Sequence, residues 1–119
     1  MRRPERVADI IREEISQIVG YELEDPRLTM VTVTDVRLSD NRRDAQVFVT
    51  IAGNEAEHQL ALTALRKAAP YVRKQLSLSL NLARTPEIHF VRDTVEEHGQ
   101  RVDRLLQQLA AEERMKDEG

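Results

Sequence analysis

Two pairs of cations flank a proline in the stretch RKAAPYVRKQL, residues 66–76, and their types suit the binding of phosphate. Arg66 and Lys67 precede Pro70 by about one helical turn, and Arg73 and Lys74 follow it at a similar spacing. Arginine presents a planar fork of donors that matches phosphate oxygens, and lysine presents a compact charge. The stretch predicts electrostatic binding of a polyanion, and a solvated polar helix face is the alternative.

The charge of the chain is unevenly distributed, although its formal net value is only −3. Residues 58–92 hold 6 Lys+Arg and 1 Asp+Glu, whereas residues 1–57 hold 8 and 12 and residues 93–119 hold 4 and 8. A basic centre acts locally, because salt screens charges beyond about 10 Å. Chance is the alternative in a chain that is one-third charged. With only four aromatic residues, we expect nucleic acid to be bound by shape and phosphate rather than by base stacking.

The sequence offers no constellation of catalytic or metal-binding residues. His58, His89 and His98 fall in three separate predicted elements, and no H-x-x-x-H or H-E-x-x-H motif is present. Ser77 and Ser79 belong to no nucleophile elbow, and the four glycines form no phosphate loop. We therefore expect a protein that is not an enzyme and that uses neither a metal nor a cofactor.

Composition and length favour one soluble cytoplasmic domain. The 119 residues are enough to bury a core without a disulfide or metal staple, and cysteine is absent. No segment reaches the roughly 18 apolar residues that a membrane span needs. The cationic N-terminus is followed by no apolar stretch, so we expect no signal peptide.

The first half of the chain predicts a helix and a β-hairpin. Residues 28–38 are rich in β-branched side chains, and their apolar phase slips at about Thr34, which predicts a bulge. Residues 44–51 alternate between apolar and polar and complete the hairpin. Residues 4–20 precede the hairpin and read as a helix whose apolar face comprises Val7, Ile11, Ile15, Ile18 and Val19.

The second half predicts two helices that meet at the proline. Proline inside a helix costs about 3 kcal/mol and disfavours helical geometry at the preceding residue. We therefore expect a tight junction at Ala68–Ala69, with Pro70 opening a helix that ends at about residue 80. Arg73 and Lys74 then lie in a first turn, where the helix dipole disfavours cations unless an anion docks there. The helix before the junction starts near residue 55, and its predicted buried stripe is Leu60, Ala61, Ala64, Leu65 and Ala68.

A third strand at residues 86–91 and a terminal helix complete the predicted elements. We expect a domain at residues 1–92, a helix at residues 93–112 and a frayed tail at residues 113–119. The apolar stripe of the terminal helix either covers the domain or docks a partner protein. Its members are Val95, Val102, Leu105, Leu106 and Leu109.

The predicted order α-β-β-α-α-β resembles that of a type II KH domain. That α+β fold packs helices on one face of a three-stranded sheet, and a G-x-x-G loop between paired helices clamps the nucleic-acid backbone. Here the corresponding stretch is KAAPYV, without glycine. We therefore do not expect the usual KH mode of reading single strands.

Six stretches, in order and at the right spacing, resemble the ribosome-binding factor A family over about residues 2–109. They are RPERVADIIREEISQIV, ELEDPRLTMVTVTDVRLS, DAQVFVTI, ALRKAAPYVRKQL, PEIHFVRD and HGQRVDRLLQQL. The family has a KH-like fold in which a kinked helix pair, often with the residues Ala-x-Gly, replaces the clamp. Ala68, Ala69 and Pro70 occupy that place here, so the family's usual glycine is missing.

The resemblance implies a monomeric assembly factor without catalysis of its own. Members bind the free 30S ribosomal subunit, contact its 16S rRNA and assist processing of the rRNA 5′ end, notably in the cold. It implies no membrane partner, no small-molecule substrate and no cofactor. From the charge pattern we expect rRNA phosphates to meet the cations around the junction, the hairpin tip, the N-terminus and the segment before the third strand. The predicted RNA-binding residues are Arg66, Lys67, Arg73, Lys74, Arg42, Arg43, Arg3, Arg6 and Arg84.

Overall fold

A computed structural model describes residues 4–93 together with Leu109, and it confirms an α+β fold with a three-stranded sheet. The predicted terminal helix and tail, from residue 94 onward, lie outside the described residues except for Leu109, which is helical. In chain order the elements are α1 (Pro4–Gln17), a π-helical turn (Ile18–Glu22), a 3₁₀ turn (Pro26–Leu28), β1 (Val31–Leu38), β2 (Asp44–Ile51), α2 (Glu55–Ser79) and β3 (Glu87–Arg92). No described helix is long and apolar enough to cross a bilayer.

The central strand of the sheet is β2, which pairs antiparallel with β1 and parallel with β3. The predicted hairpin is confirmed, and the bulge lies where the apolar phase slipped, between Val33 and Asp35. Because β2 and β3 run parallel, α2 is the crossover connection that returns the chain to the same end of the sheet.

One face of the sheet carries the core. The side chains of Ala45, Val47 and Val49 alternate toward this face along β2, and both helices pack against it. The predicted apolar face of α1 is confirmed, since Ile11, Ile15 and Ile18 are buried in the same cluster. On β3 the cluster includes Ile88 and Phe90, as the alternation of that strand predicted.

The chain between α1 and β1 corrects the predicted start of the first strand. The prediction began that strand at residue 28, but Pro26–Leu28 form a 3₁₀ turn and β1 starts at Val31. Asp25 caps the turn by accepting hydrogen bonds from the backbone and side chain of Arg27. The side-chain hydrogen bond from Arg27 also lowers the pKa of the Asp25 carboxyl.

The predicted pair of helices is wrong, because α2 runs without interruption from Glu55 to Ser79 with Pro70 inside it. Ala68 and Ala69 are therefore interior helical residues and not a junction. Arg73 and Lys74 do not lie in a first turn, so the argument for an anion at a second helix N-terminus fails with it. The helix does begin where predicted, with a capping box between Asn54 and Glu57.

Buried side chains on both sides of Pro70 explain why the helix continues. Leu65, Val72 and Leu76 lie on one stripe at spacings of seven and four, and each is fully buried in the same core. Tertiary packing of such a stripe outweighs the local cost of a proline. The predicted stripe was wrong at Leu60, which is 55% exposed, while Leu62 is buried in its place.

Replacing Pro70 by alanine should stabilise the protein. Pro70 has no N–H, so the carbonyl of Arg66 lacks its helical donor, and the alanine amide restores that bond. The ring of Pro70 is exposed, so little packing is lost. We expect the free energy of unfolding to rise by about 1–3 kcal/mol in urea titrations. Pro70→Gly is the matched control and should gain about 1 kcal/mol less, whereas lower stability in both variants would contradict this account.

Candidate nucleic-acid interface

The four predicted cations of α2 lie on one exposed face around Pro70. Successive residues of a helix turn by about 100°, so positions three and four apart share a face. Arg66, Lys67, Arg73 and Lys74 are all exposed. We define the cationic face of α2 as Arg66, Lys67, Pro70, Arg73, Lys74 and Ser77. Because the helix is continuous, these charges follow one another along a single axis over roughly 12 Å.

A cleft borders this face where the chain returns from α2 to β3. Its helical wall includes Pro70, Lys74 and Ser77, and its other wall includes Arg84 and Thr85. The structure thus brings Arg84 together with Arg73 and Lys74, as the predicted site requires. Arg84 was predicted from the sequence, but the wall of the cleft to which it belongs was not. The signal in the sequence was the short ARTP segment, whose Pro86 is buried and fixes the chain against the sheet.

Arg73 connects the two walls of the cleft. Its Nη2 donates a hydrogen bond to the backbone carbonyl of Thr85 at 3.0 Å, and its Nε lies 3.7 Å from Oε1 of Glu87. The second distance exceeds that of a hydrogen bond, so the contact with Glu87 is a weak ion pair. Arg73 therefore shapes the cleft in addition to contributing charge.

Among the described residues, no carboxylate lies within ion-pair distance of the remaining cations of this surface. Within residues 6–93, no ion pair involves Lys67, Lys74 or Arg84, and the same is true of Arg66. Glu87 is the one acidic residue in the sequence from 58 to 92. An exposed set of unpaired cations with one weakly held carboxylate produces a positive local field, which attracts polyanions.

The hairpin end adjoins the cleft through the backbone. The carbonyl of Arg43 accepts a hydrogen bond from the amide of Glu87 at 2.8 Å. Arg42 is exposed in the turn with a φ of 59°, a left-handed conformation. The amide of Arg42 donates to the carbonyl of Ser39, which holds that turn closed. The structure thus places the backbone of Arg43 beside Glu87, which lines the β3 end of the cleft.

The predicted N-terminal contacts are not joined to this surface by any described contact. Arg6 is exposed on α1, and no hydrogen bond or ion pair found within residues 6–93 connects it to α2. Arg3 lies outside the described residues. The candidate interface consequently consists of the cationic face of α2, Arg84 and the hairpin turn.

Among the described residues, His58 and His89 each lie beside one carboxylate. His89 Nε2 lies 2.8 Å from Oδ1 of Asp44, and Nδ1 of His58 lies 3.5 Å from Oε2 of Glu55. A hydrogen bond from Gln59 is the main cause of a lowered pKa at Glu55. In the part of the chain that the structure describes, no three His, Asp or Glu side chains converge as metal ligands do.

Comparisons with known proteins agree on one family. The family model described as ribosome-binding factor A matches residues 3–106. A ribosome-binding factor A from Thermomicrobium roseum is 43% identical over 116 residues, covering 98% of this chain and 89% of the relative. The crystal structure of ribosome-binding factor A from Thermus thermophilus superposes with a TM-score of 0.70 at 26% identity, covering 76% of this chain and 97% of that one.

A second structural relative is a model placed in a larger complex. It is a homology model of the Thermus thermophilus ribosome-binding factor A as fitted into the cryo-EM map of a 30S complex of that protein. It superposes with a TM-score of 0.63 at 27% identity and covers 74% of this chain and 92% of that one.

Proposed function

Since the chain belongs to the ribosome-binding factor A family, we propose that it binds the free 30S ribosomal subunit and assists late maturation. In this proposal the protein acts as a cytoplasmic monomer and performs no catalysis. Processing of the 16S rRNA 5′ end and growth in the cold would both depend on the protein. The 30S complex of the Thermus thermophilus relative supports the choice of partner.

The candidate interface is the proposed contact with rRNA. The observation that carries this proposal is the set of exposed cations on α2 that have no carboxylate partner among the described residues. Phosphate contacts position a protein on nucleic acid, and each one releases counterions. A continuous helix presenting Lys67 and Lys74 one above the other suits a run of phosphates better than a single anion.

Co-sedimentation tests the proposed partner. The purified chain is centrifuged with 30S subunits, with 50S subunits and with free RNA over a series of salt concentrations. We expect selective 30S binding whose affinity falls steeply as salt rises. Absence of 30S binding at low salt would overturn the proposed function, and equal binding to free RNA would reduce it to unspecific RNA binding.

Glu87→Gln should strengthen binding to 30S subunits by about two- to fivefold at low salt. The substitution removes the Glu87 carboxylate, which lies 3.7 Å from Arg73 across the cleft, and keeps the shape of the side chain. The salt slope should remain the same, because no phosphate contact is added. Glu57→Gln, at the far end of α2, is the matched control. Titration of labelled protein with 30S subunits measures both, and weaker binding of the Glu87 variant would contradict the proposal.

A further inference from the structure

The sheet has a second face that is buried at its centre. The register places Gln46, Phe48 and Val91 on the side opposite the core, with Phe48 and Val91 paired across β2 and β3. Phe48 is 1% exposed and Val91 is 8% exposed. These two form a cluster of their own that contains no residue of α1 or α2. The two described helices therefore do not account for the burial of this face.

The chain leaves the sheet on this second face. Asp93 follows β3, and its amide donates to the carbonyl of Val49 at 2.8 Å. Its carboxylate accepts a hydrogen bond at 2.6 Å from Oγ1 of Thr34, the bulged residue of β1. The Asp93 side chain thus reaches across β2 on the second face. The residues that follow start from a point beside Phe48, whose carbonyl also accepts from Thr34 at 3.2 Å.

We propose that residues 94–110 dock as a helix on this second face and make it an internal interface of the domain. Seventeen helical residues extend about 25 Å, which matches the roughly 26 Å of an eight-residue strand. Leu109 is helical and partly buried, although it lies sixteen residues beyond Asp93. The predicted apolar stripe of this segment supplies side chains that suit Phe48 and Val91. Its members are Val95, Val102, Leu105, Leu106 and Leu109.

One polar group of the second face also favours an occupant that brings a hydrogen-bond donor. Gln46 is buried on the same face, and its Oε1 has no hydrogen-bond partner among the described residues, so the interface can accept one further donor. The proposal does not depend on ribosome binding. It assigns the second face to the chain itself and leaves the cationic face of α2 for an external partner.

Thiol labelling tests the proposal, because the chain has no cysteine of its own. Val91→Cys places a thiol at the centre of the second face, and Thr32→Cys places one at its exposed rim in β1. In the full chain we expect the thiol at position 91 to react at least about 100-fold more slowly than the thiol at position 32, since labelling requires local opening. Equal rates would overturn the proposal.

Charged residues in the segment then identify the occupant. L105K/L106K on the predicted stripe should speed labelling of the thiol at position 91 by more than about tenfold, because lysine cannot pack against Phe48. Q100K/Q107K adds the same charge off the stripe and should change the rate less than about twofold. Unchanged protection in the stripe variant would overturn the proposal. Protection that is lost on dilution would also overturn it, because a second copy of the chain would then be the occupant.

If the stripe variant unfolds, a spin label provides a second test of whether residues 94–110 dock on the second face. A nitroxide on Gln107→Cys, off the predicted stripe, leaves the proposed contact intact. We expect it to broaden the amide NMR signals of Gln46 and Val91 more strongly than those of Lys67 and Lys74, which lie on the far side of the core. Equal broadening, or none in the sheet, would overturn the proposal.

Discussion

Replacing Lys67 and Lys74 together by alanine is expected to weaken 30S binding by roughly 10- to 30-fold at physiological salt. Both side chains are exposed on one face of α2, and neither has an ion-pair partner among residues 6–93. Each phosphate contact contributes about one unit to the slope of log affinity against log salt concentration. Loss of two contacts should therefore lower that slope by about two units, and titrations over a salt series measure it.

The matched control removes two cations from elsewhere on the molecule. Arg12 pairs with Glu13 at 3.7 Å, and Arg37 pairs with Asp35 at 3.1 Å. Exposed ion pairs of this kind contribute about 1 kcal/mol or less, so R12A/R37A should fold normally. It lowers the net charge by the same amount as K67A/K74A. If both double variants lose affinity equally, the effect is one of overall charge, and the cationic face is not the contact.

Leu76→Ala is expected to reduce the free energy of unfolding by about 2–5 kcal/mol. Leu76 lies six residues beyond Pro70, is fully buried and belongs to the same core as Leu65. Truncation leaves a cavity, because the surrounding core relaxes only partly around the deleted atoms. Urea titration followed by circular dichroism measures the loss.

Leu78→Ala is the matched control within the same helical turn. Leu78 is 72% exposed, so its truncation should cost less than about 0.5 kcal/mol. The comparison tests whether the part of α2 after the proline packs as one stripe with the part before it. Equal small losses in both variants would contradict a continuous, packed helix and would revive the predicted junction.

The sheet could be read from the sequence because its signals are local. The alternation in residues 44–51 predicted the bounds of β2, and the slip in apolar phase predicted the bulge at Thr34. A strand needs only a repeat of two residues and a bounding turn to be recognised. The start of β1 was misplaced because Leu28, although apolar and buried, belongs to a 3₁₀ turn.

The helix around Pro70 could not be read from the same local rules. A proline lowers helix propensity at its own position, whereas the packing of Val72 and Leu76 depends on strands that lie far away in the chain. The apolar residues Val72 and Leu76 continued the helical spacing beyond the proline, but the rule for proline was given more weight than this spacing. Leu60 was assigned to the stripe because it lies four residues before Ala64, but at about 100° per residue it is turned well away from Leu65 and Leu76, and it is exposed.

The candidate site was predictable in its charges and not in its shape. Residue types alone identified Arg66, Lys67 and Lys74, since clustered cations are visible in the sequence. The cleft wall at Arg84 and Thr85 exists because β3 pairs with β2 and draws that segment against α2. The hydrogen bond from Arg73 to the Thr85 carbonyl spans twelve residues and depends on the same pairing.

Directed hydroxyl-radical probing tests the central claim, that the cationic face of α2 meets 16S rRNA. Because the chain has no cysteine, Lys74→Cys and Arg37→Cys each accept one tethered iron chelate, and both positions are exposed. Bound to 30S subunits, the chelate at residue 74 should cleave 16S rRNA at discrete positions, and the chelate at residue 37 should cleave weakly or elsewhere. Strong cleavage from residue 37 with none from residue 74 would contradict the account and would assign rRNA binding to another surface.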